Sequence, residues 1–385
     1  MQAVILAAGE GKRLRPLTKN RPKALIPVAN NPIIDYPIQA LLDCGIRDII
    51  IVVGYRKEHV IRHLNRCDAP IEVVEQKQQL GTGDALRCAA SLIREEFLVL
   101  PGDNIIDAPS ISRIMAVQNS VLVKEHPHPS NFGVVMMDKE GVSCIIEKPE
   151  HAPSFTVSTG IYHLTPDFLP HLTENSLTDA VNGMIAKGGH LGVVMAEEWH
   201  DAVYPWDLLA LNRKILRDIS PLKSGSIDRT AVIRGPVRIG KGATISPFTV
   251  ITGPAIIGND AEIGSHCTIG PFVSIGDRVR VEPFTLLEHS LLMEDSAIGS
   301  HSRVTEAVIG EGSSFGDHTT VEPGVPLMEI EGTLMRGRFG CVVGDRVRAD
   351  PLCIFQGALV GNDVRIRGGK MITGFDAFQD GVMVV

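Results

Sequence analysis

One aliphatic residue recurs every six positions through much of the second half of the chain. The series runs Ile239, Ile245, Ile251, Ile257, Ile263, Ile269, Ile275, Val281 and Leu287. Four positions after each of the first eight stands a small or β-branched residue: Ala243, Thr249, Ala255, Ala261, Cys267, Val273, Val279 and Thr285. A six-residue period with one inward aliphatic and one small side chain predicts a triangular parallel coil, in which each hexapeptide forms one side and stacks on its neighbours.

The six-residue period is interrupted at two places. It slips after Leu287, and it is lost again over residues 323–338 before it returns at Val343. Such interruptions are typical of loops that project from a coil. The repeat resembles the left-handed parallel β-helix of hexapeptide-repeat proteins, so an all-β domain is predicted over residues 227–385, after a linker at 220–226. Flat-sided coils associate readily, and a homotrimer is the predicted assembly.

Residues 1–219 have a different pattern, in which short apolar segments alternate with helical segments. Strands are predicted at 3–6, 48–53, 71–74 and 97–100, and helices at 35–44, at 57–64 and from Thr82 onward. This alternation predicts an α/β domain with a Rossmann-like sheet. Ligands of such sheets bind at the carboxyl ends of the strands, a rule that selects Gln76, the turn at 81–83 and Asp103.

The segment after the first predicted strand suits a polyphosphate. Gly9 and Gly11 let backbone N–H groups approach an anion, and Arg13 and Lys23 supply positive charge. Neither of two common phosphate loops fits. A dinucleotide fingerprint needs a third glycine where Arg13 or Leu14 stands, and a P-loop needs Ser or Thr after the lysine that follows its last glycine.

The block LAAGEGKRLRPLT…RPKALIPV resembles the signature of the sugar-1-phosphate nucleotidylyltransferases. The resemblance implies that residues 1–219 form a nucleotidyltransferase domain, which joins a nucleotide to a hexose 1-phosphate and releases pyrophosphate. It places Arg13 on the departing pyrophosphate and Lys23 between the α-phosphate and the sugar phosphate. Further nucleotide contacts are implied at Leu6, Ala8, Gly9 and Gly11.

The same resemblance implies a magnesium ion held by Asp103 and Asp201. Asp103 ends a PGD turn, and Mg²⁺ is usually held by one or two carboxylates together with phosphate oxygens. Asp201 belongs to a W-x-D-x-x-x-P-W-D element that starts at Trp199. The last carboxylate of this element, Asp207, is expected to cap the helix that follows.

The base and the sugar have candidate residues of their own. Gln76, Gly81 and Thr82 are similar to the family's base-reading element, and an amide that matches a pyrimidine edge favours UTP or dTTP over a purine nucleotide. The segments implied to line the sugar-phosphate pocket carry Gly133, Glu147, Lys148, Thr159 and Gly160. The STGIY segment departs from the N-A-G-I-Y of members that use N-acetylglucosamine phosphate. Glucose, glucosamine and N-acetylglucosamine 1-phosphates therefore all stay open, as does the choice between uracil and thymine.

The second domain has two interpretations. In bifunctional members of the family, a similar coil transfers acetyl from acetyl-CoA to glucosamine 1-phosphate, with a histidine as general base. Here Ser300 stands at the position of that histidine, so His301 and His318 are the candidate bases. The segment 336–345, RGRFGCVVGD, is similar to the acetyltransferase side of those proteins. The alternative is a coil that serves as a trimerising or allosteric scaffold.

A protein of another class shares this two-domain plan, namely a non-catalytic regulatory subunit that binds nucleotides or partners without turnover. Such subunits can lose the metal carboxylates or the cations. This chain retains Arg13, Lys23, Asp103 and Asp201. The sequence therefore favours an enzyme.

Composition and charge limit the kinds of partner that the protein can bind and indicate its cellular compartment. A net charge of −8 and a pI near 5.9 argue against a nucleic-acid or anionic-membrane surface. The seven cysteines are scattered without a C-x-x-C pair, which predicts reduced thiols in the core of a cytoplasmic protein. No apolar stretch approaches the ~18 residues of a membrane span. The expected partners are the two small substrates and further copies of the chain.

Overall fold

The structure, a computed structural model, describes residues 1–67, 69–139 and 141–385. The chain divides into two compact units. The first unit contains Met1–Glu10, Arg21–Leu25 and Pro32–Asp201. The second contains Gly11–Asn20, Ile26–Asn31 and Ala202–Val385.

Up to Asp201 the chain alternates between strands and helices, as the sequence predicts. The strands are β1 (Gln2–Ala7), β2 (Pro27–Val28), β3 (Asn31–Pro32), β4 (Asp48–Val53), β5 (Ile71–Glu75), β6 (Phe97–Pro101), β7 (Asn104–Ile106), β8 (Ser120–Glu125), β9 (Gly133–Met137), β10 (Val142–Glu147), β11 (Thr156–Leu164), β12 (Gly192–Met195) and β13 (Trp199–Asp201). The α-helices are α1 (Asp35–Asp43), α2 (Lys57–Leu64), α3 (Thr82–Ala89), α4 (Ala108–Met115) and α5 (Leu177–Ala186). Short 3₁₀ helices occupy Lys12–Leu14, Lys23–Leu25, Ala90–Leu92, Pro129–Asn131 and Pro166–His171. The predicted strand 48–53 and helix 57–64 are confirmed to the residue.

The first unit is built on a mixed sheet with a parallel centre. β1 lies between β4 and β6, and β5 extends the parallel part beyond β4. β11 runs antiparallel to β6, and it pairs with β8 and β9. Ile5 faces a core that also contains Leu41 of α1, and Val4 faces a second core that contains Leu86 of α3. The continuous apolar run of β1 is therefore explained by burial on both faces, and the carboxyl ends of the parallel strands share one edge.

After Ala202 the chain forms α6 (Asp207–Leu216) and then a long series of short strands. These are β14 (Leu222–Lys223), β15 (Ser226–Ile227), β16 (Val232–Arg234), β17 (Val237–Ile239), β18 (Thr244–Ile245), β19 (Val250–Thr252), β20 (Ala255–Ile257), β21 (Glu262–Ile263), β22 (Thr268–Ile269), β23 (Val273–Ile275), β24 (Arg280–Val281), β25 (Leu286–Glu288), β26 (Leu291–Leu292), β27 (Ala297–Ile298), β28 (Arg303–Thr305), β29 (Ala307–Ile309), β30 (Ser314–Phe315), β31 (Thr320–Glu322), β32 (Leu327–Ile330), β33 (Thr333–Arg336), β34 (Cys341–Val343), β35 (Arg348–Ala349), β36 (Ile354–Val360), β37 (Arg365–Ile366), β38 (Met371–Ala377) and β39 (Met383–Val384). In the segment 220–226, β14 pairs with β17 and the first residue of β15 pairs with β18.

These strands stack into three parallel faces, which form the left-handed β-helix. β17, β20 and β23 pair in succession on one face, β16, β19 and β22 on the second, and β18, β21 and β24 on the third. Ile239 pairs with Ile257, and Ile257 with Ile275, so one coil consists of three hexapeptides. The aliphatic series and the apolar small residues of the repeat lie in one continuous core, and Thr249 and Thr285 are buried as well. The six-residue period of the sequence therefore identifies the side chains that point into the β-helix.

The two interruptions have different causes. At the first, Leu292 occupies the inward position next to Ile275, so this coil is one residue shorter than the coil before it and no loop is inserted. The expectation of a projecting loop is wrong there. At the second, β32 and β33 form an antiparallel hairpin with an exposed Leu334, which confirms the expectation.

The seven cysteines are free. Cys267, Cys341 and Cys353 are buried, and the other four are partly exposed, so the expectation of core thiols holds for three of them. Within the described ranges, none of the helices combines the length and the apolar character that a membrane crossing requires.

We predict that Ile269→Ala will destabilise the β-helix by about 2–5 kcal/mol, because it removes buried methyl groups from a fully enclosed position and leaves a cavity. The matched control is Thr268→Ala on the same strand, whose side chain points outward. Urea unfolding followed by circular dichroism measures both variants. Equal unfolding midpoints for the two variants would contradict the assignment of Ile269 to the inward row.

Candidate active site

A two-stranded antiparallel sheet brings Asp103 and Asp201 together. β7 pairs with β13 so that Asn104 stands opposite Asp201 and Ile106 stands opposite Trp199. Asp103 directly precedes β7, and Asp201 is the last residue of β13. Trp199 is 4% exposed and anchors the start of β13 in the core. The pairing register therefore explains how two carboxylates far apart in the sequence become neighbours.

Lys23 places its ammonium group between these carboxylates. Its Nζ lies 2.9 Å from Asp103 Oδ2 and 2.5 Å from Asp201 Oδ1. Burial alone would lower the pKa of Lys23, but the two carboxylates more than offset this effect and raise the pKa above its ordinary value. Lys23 therefore stays protonated throughout the physiological range.

The donor set of this cluster fits a divalent metal ion. Carboxylate oxygens are the ligands that Mg²⁺ prefers, usually one or two together with phosphate oxygens. One oxygen of Asp103 and one of Asp201 already contact the same cation, Lys23, so both can face one positive centre. The side chain of Asp103 is 38% exposed, which leaves it accessible from solution.

The residues predicted to contact the nucleotide through β1 lie at the edge where the parallel strands end. The carbonyl of Leu6 accepts a hydrogen bond from the backbone N–H of Gly102 at 2.8 Å. A Cβ at Gly54 would lie 2.9 Å from that of Ala8, so this glycine permits a close approach. Gly9 follows Ala8, and a Cβ at Gly9 would have no heavy atom of the described residues within 4 Å. Gly9 therefore borders open space at this edge.

The candidate base-reading residues form a turn that packs within the first unit. Gln76 is buried, and its Nε2 donates to the carbonyl of Gly81 at 3.0 Å and to Asp84 Oδ2 at 2.8 Å. Gly81 has a φ of +140°, and a Cβ there would lie 2.4 Å from the carbonyl oxygen of Asn175. The hydroxyl of Thr82 accepts a hydrogen bond from the backbone N–H of Leu177, two residues after Asn175, at 3.0 Å. The packing itself thus requires Gly81, a reason that sequence reasoning missed.

Gly133, Glu147 and Lys148 lie together at the end of the β9–β10 ladder. Glu147 pairs with Gly133 across the two strands, and a Cβ at Gly133 would lie 3.2 Å from Glu147 Oε2. Lys148 Nζ lies 3.3 Å from Glu147 Oε1, and both side chains are about half exposed. An exposed ion pair of this kind contributes little to stability, so both groups can exchange their partner for a ligand.

Thr159 and Gly160 lie on β11 beside the PGD turn. The carbonyl of Thr159 accepts a hydrogen bond from Asn104 Nδ2 at 3.0 Å, and a Cβ at Gly160 would lie 2.8 Å from Pro101. The hydroxyl of Thr159 is buried and donates to the carbonyl of Leu122 at 2.8 Å. The hydroxyl of Thr159 is therefore engaged inside the fold, whereas Gly160 allows the backbone to approach the turn.

Gly11 and Arg13 belong to the second unit, on a segment that we call the signature loop (residues 11–20). Gly11 has a φ of +70°, in the left-handed region that favours glycine, and its carbonyl accepts a hydrogen bond from the Thr18 hydroxyl at 2.9 Å. Arg13 lies close to Tyr204. Burial raises the pKa of Tyr204, and the positive charge of Arg13 opposes that rise.

The expectation that Asp207 caps α6 is wrong, because Trp206 occupies the N-cap position. Asp207 is the first residue of α6, and its Oδ2 accepts hydrogen bonds from the backbone N–H groups of Val203 at 3.0 Å and Tyr204 at 2.8 Å. Its carboxylate thus closes the turn before the helix and also places negative charge in the first helical turn, where the helix dipole favours it.

The segment 336–345 packs against the residues that precede α6. Phe339 is fully buried, and its ring stacks on Trp206 with the centroids 5.2 Å apart. Trp206 in turn stacks on Tyr204, also at 5.2 Å. A Cβ at Gly337 would lie 2.6 Å from the Trp206 ring, so the segment needs a glycine at this position.

His301 and His318, the candidate acetyltransferase bases, stack on each other at a corner of the β-helix with centroids 5.1 Å apart. They continue a column of stacked rings formed by Phe248, His266 and Phe284. Both histidines are exposed and have a φ of +57°, the conformation that repeats at this corner. Their imidazoles are therefore accessible, and their positions follow from the coil geometry.

Comparison with known proteins shows the family to which the chain belongs. The model of the family described as Nucleotidyl transferase matches residues 2–218, more than half of the chain. The chain belongs to the nucleotidyl transferase family. A second model, described as the GMPPB C-terminal domain, matches residues 251–374 of the β-helix.

Relatives of this nucleotidyl transferase share both parts of the chain. It is 33% identical to a bifunctional protein GlmU from Methanococcus maripaludis, over 97% of this chain and 94% of that protein. It is 32% identical to a bifunctional sugar-1-phosphate nucleotidylyltransferase/acetyltransferase from Sulfurisphaera tokodaii, over 97% of each. It is 31% identical to a glucose-1-phosphate thymidylyltransferase from Streptomyces antibioticus, over 84% of this chain and 99% of that protein. The likeness therefore includes the β-helix.

We predict that Lys23→Met will destabilise this nucleotidyl transferase more at pH 7 than at pH 4. Without the ammonium group, Asp103 and Asp201 repel each other when both are ionised, and protonation of either carboxyl at lower pH relieves this repulsion. The folded variant therefore binds protons more readily than its unfolded chain does, so it loses stability relative to wild type as the pH rises. Melting temperatures of wild type and variant at the two pH values measure the difference.

Lys57→Met is the matched control for this measurement, because Lys57 pairs with Glu75 at 2.7 Å on the partly exposed surface. Solvent screening makes such a pair weak, so a small change is expected at both pH values. If the Lys23 variant lost the same stability at pH 4 and pH 7, the charge cluster would not be the source of the effect.

Proposed function

We propose that this protein transfers a nucleotidyl group from UTP or dTTP to a hexose 1-phosphate, giving a nucleotide-sugar and pyrophosphate. The observation that carries the proposal is the cluster of Lys23 with Asp103 and Asp201 at a strand edge. In the reaction, a phosphate oxygen of the sugar attacks the α-phosphorus of the nucleotide. The bond from that phosphorus to the bridging oxygen breaks, and its electron pair leaves with pyrophosphate. The family match and the names of the relatives support this class of reaction.

The side chains act in this reaction through charge and alignment, without a protein nucleophile. Lys23, kept protonated by its carboxylate partners, contacts the α-phosphate and the sugar phosphate. Arg13 binds the departing pyrophosphate, since a guanidinium can donate to two phosphate oxygens at once. Asp103 and Asp201 would hold Mg²⁺, which neutralises phosphate charge when it is bound.

The binding of the base rests on Gln76 and on the turn that contains Gly81 and Thr82. With both N–H groups engaged inside the protein, the Gln76 amide can accept a hydrogen bond from the ring N–H of a pyrimidine through its carbonyl oxygen. Its contacts to Gly81 and Asp84 fix the orientation of the amide before a nucleotide arrives. Uracil and thymine differ by one methyl group, worth about 1 kcal/mol, so UTP and dTTP are both retained as substrates.

The binding of the sugar phosphate rests on the residues at the ends of β10 and β11. Glu147 accepts hydrogen bonds from sugar hydroxyls, and Lys148 neutralises the phosphate. Gly133 and Gly160 leave space for the sugar beside the backbone. Thr159 contributes through its main chain, because its hydroxyl is bonded to a backbone carbonyl inside the fold.

We assign nucleotidyl transfer to residues 1–219 and assembly to the β-helix of residues 227–385, with residues 220–226 as the connection between them. The end of the family match at residue 218 supports this division. The assembly is a homotrimer, which sedimentation equilibrium would test. The free cysteines are consistent with a cytoplasmic enzyme.

Acetyl transfer is a second candidate activity, favoured by the full-length likeness to a relative named as bifunctional. The amine of glucosamine 1-phosphate would attack the thioester carbonyl of acetyl-CoA, His301 or His318 would take the amine proton, and CoA would leave as the thiol. Release of free CoA that depends on glucosamine 1-phosphate would support this activity. No release by an assembled protein would leave the β-helix as a scaffold.

The experiment that tests the proposed function measures pyrophosphate release with Mg²⁺, across four nucleoside triphosphates and a panel of hexose 1-phosphates. We expect turnover with UTP or dTTP and with at least one of these sugars. A folded wild-type protein without turnover anywhere in this grid would contradict the proposal and support the non-catalytic regulatory subunit.

We predict that Lys23→Met will lower kcat by about 10²-fold or more, because the reaction loses a preorganised positive charge at the phosphates. The control is Lys57→Met, which removes a surface lysine and should keep the wild-type rate. A Lys23 variant with a near-native rate would show that this residue has no part in the chemistry.

We predict that Asp201→Asn will weaken the binding of Mn²⁺, used as a magnetic substitute for Mg²⁺, because an amide lacks the negative charge of a carboxylate. Electron paramagnetic resonance titration measures this affinity without relying on turnover. Asp167→Asn, at an exposed site in a 3₁₀ helix, is the control. Equal affinities in the two variants would remove Asp201 from the metal site.

A further inference from the structure

One corner of the β-helix carries a column of Asn and Asp side chains that bond one coil to the next. The Oδ1 atoms of Asn259 and Asp277 accept hydrogen bonds from the backbone of the preceding coil, at 3.0 Å and 2.7 Å. Further along the column, Asp345, Asn362 and Asp380 do the same at 2.8 to 3.0 Å. Stacking of the coils therefore accounts for the hydrogen bond that one oxygen of each side chain accepts.

Asp345 and Asn362, late in this column, differ in solvent exposure from Asn259 near its start. Asn259 is exposed, whereas Asp345 and Asn362 are 1% and 2% exposed. The signature loop supplies the additional contacts. Asn20 Nδ2 donates to Asp345 Oδ2 at 3.0 Å and to Asn362 Oδ1 at 3.1 Å. Two buried polar side chains of the coil thus have partners that stacking does not require.

The contacts extend along the rest of the loop. Asn362 Nδ2 donates to the carbonyl of Pro16 at 3.2 Å. Lys19 Nζ lies 2.8 Å from Asp380 Oδ2. Three successive side chains of the column therefore hold three points of the loop between residues 16 and 20.

We propose that Asp345 and Asn362 are positioning residues for nucleotidyl transfer, which hold the signature loop and through it Arg13. Arg13 lies in the 3₁₀ turn Lys12–Leu14, and the next turn begins at once, since the N–H of Leu17 donates to the carbonyl of Leu14 at 3.1 Å. A shift at the Pro16 carbonyl is transmitted to Arg13 through this short run of turns. Arg13 acts on the pyrophosphate in the proposed function, on which this inference rests.

The physical reason lies in the burial of the network. A buried amide or carboxylate that loses its partner is unfavourable, so the loop and the coil keep one arrangement relative to each other. An enzyme without a nucleophile depends on the alignment of its charged groups, and small displacements of such groups reduce the rate strongly. The column therefore gives the β-helix a part in nucleotidyl transfer.

The test compares Asn20→Ala, which removes the loop side of the network, with Asn362→Ala, which removes the coil side. Asn259→Ala is the matched control, because it has the same position in the column and faces solvent. Steady-state kinetics vary the nucleotide at saturating sugar phosphate, and then the reverse. We expect about a tenfold loss of kcat/KM for the nucleotide in both variants, with KM for the sugar phosphate within about twofold of wild type.

The control variant should keep wild-type kinetics even if its melting temperature falls. Proportional increases in both KM values, or losses equal to those of the control, would show a merely structural role and overturn the proposal. If Asn362→Ala does not fold, the partly exposed Asn20→Ala decides the question by itself.

A second readout separates this inference from the proposed function. Hydrogen–deuterium exchange of the peptide that contains residues 11–20 should be faster in Asn20→Ala than in wild type and unchanged in Asn259→Ala. Unchanged exchange in Asn20→Ala would contradict the bracing of the loop. A wild-type protein without turnover would contradict the proposed function, while the exchange data would still report on the bracing.

Discussion

The ion cluster of Lys23, Asp103 and Asp201 is the constraint on which the candidate site depends. A largely buried ammonium group is tolerated only with charged partners close by, and both carboxylates lie within hydrogen-bond distance of it. Asp103 directly precedes β7 and Asp201 ends β13, so the small antiparallel sheet has to keep its register for the lysine to stay paired. The cluster therefore lies beside the end of β6, at the edge where the parallel strands end.

Local patterns in the sequence predict those parts of the fold that depend on neighbours in the chain. The apolar run 48–53 and the amphipathic segment 57–64 are confirmed to the residue, and the six-residue period identifies the inward rows of the β-helix. The coil that contains Leu292 escapes this reasoning, because a coil one residue shorter interrupts the period without interrupting the stack. The contact of Gly81 with Asn175 escapes it as well, since no periodicity relates two loops so far apart.

In the candidate site, too, the sequence predicts some features, and the others depend on contacts between distant parts of the chain. The resemblance to a known family identifies Lys23, Asp103 and Asp201, but the register between β7 and β13 is needed to show why they meet. Thr159 is the residue to which the structure adds most, because its hydroxyl donates to a backbone carbonyl inside the fold. Alternation along β11 could have indicated this, since Val157 and Ile161 lie two positions to either side and are fully buried. A side chain in such a row is expected to face the core, whatever motif contains it.

The β-helix gives this enzyme something that a loop-rich domain lacks, namely polar groups repeated at a fixed spacing along a stiff support. Each Asn or Asp of the column accepts a backbone hydrogen bond through one oxygen, so its second polar atom can take part in another contact. Where the column is covered, the backbone and side chains of residues 16–20 bond to those atoms. Because a catalyst that works by alignment gains from rigid supports for its charged groups, a repeat that serves folding can also serve chemistry.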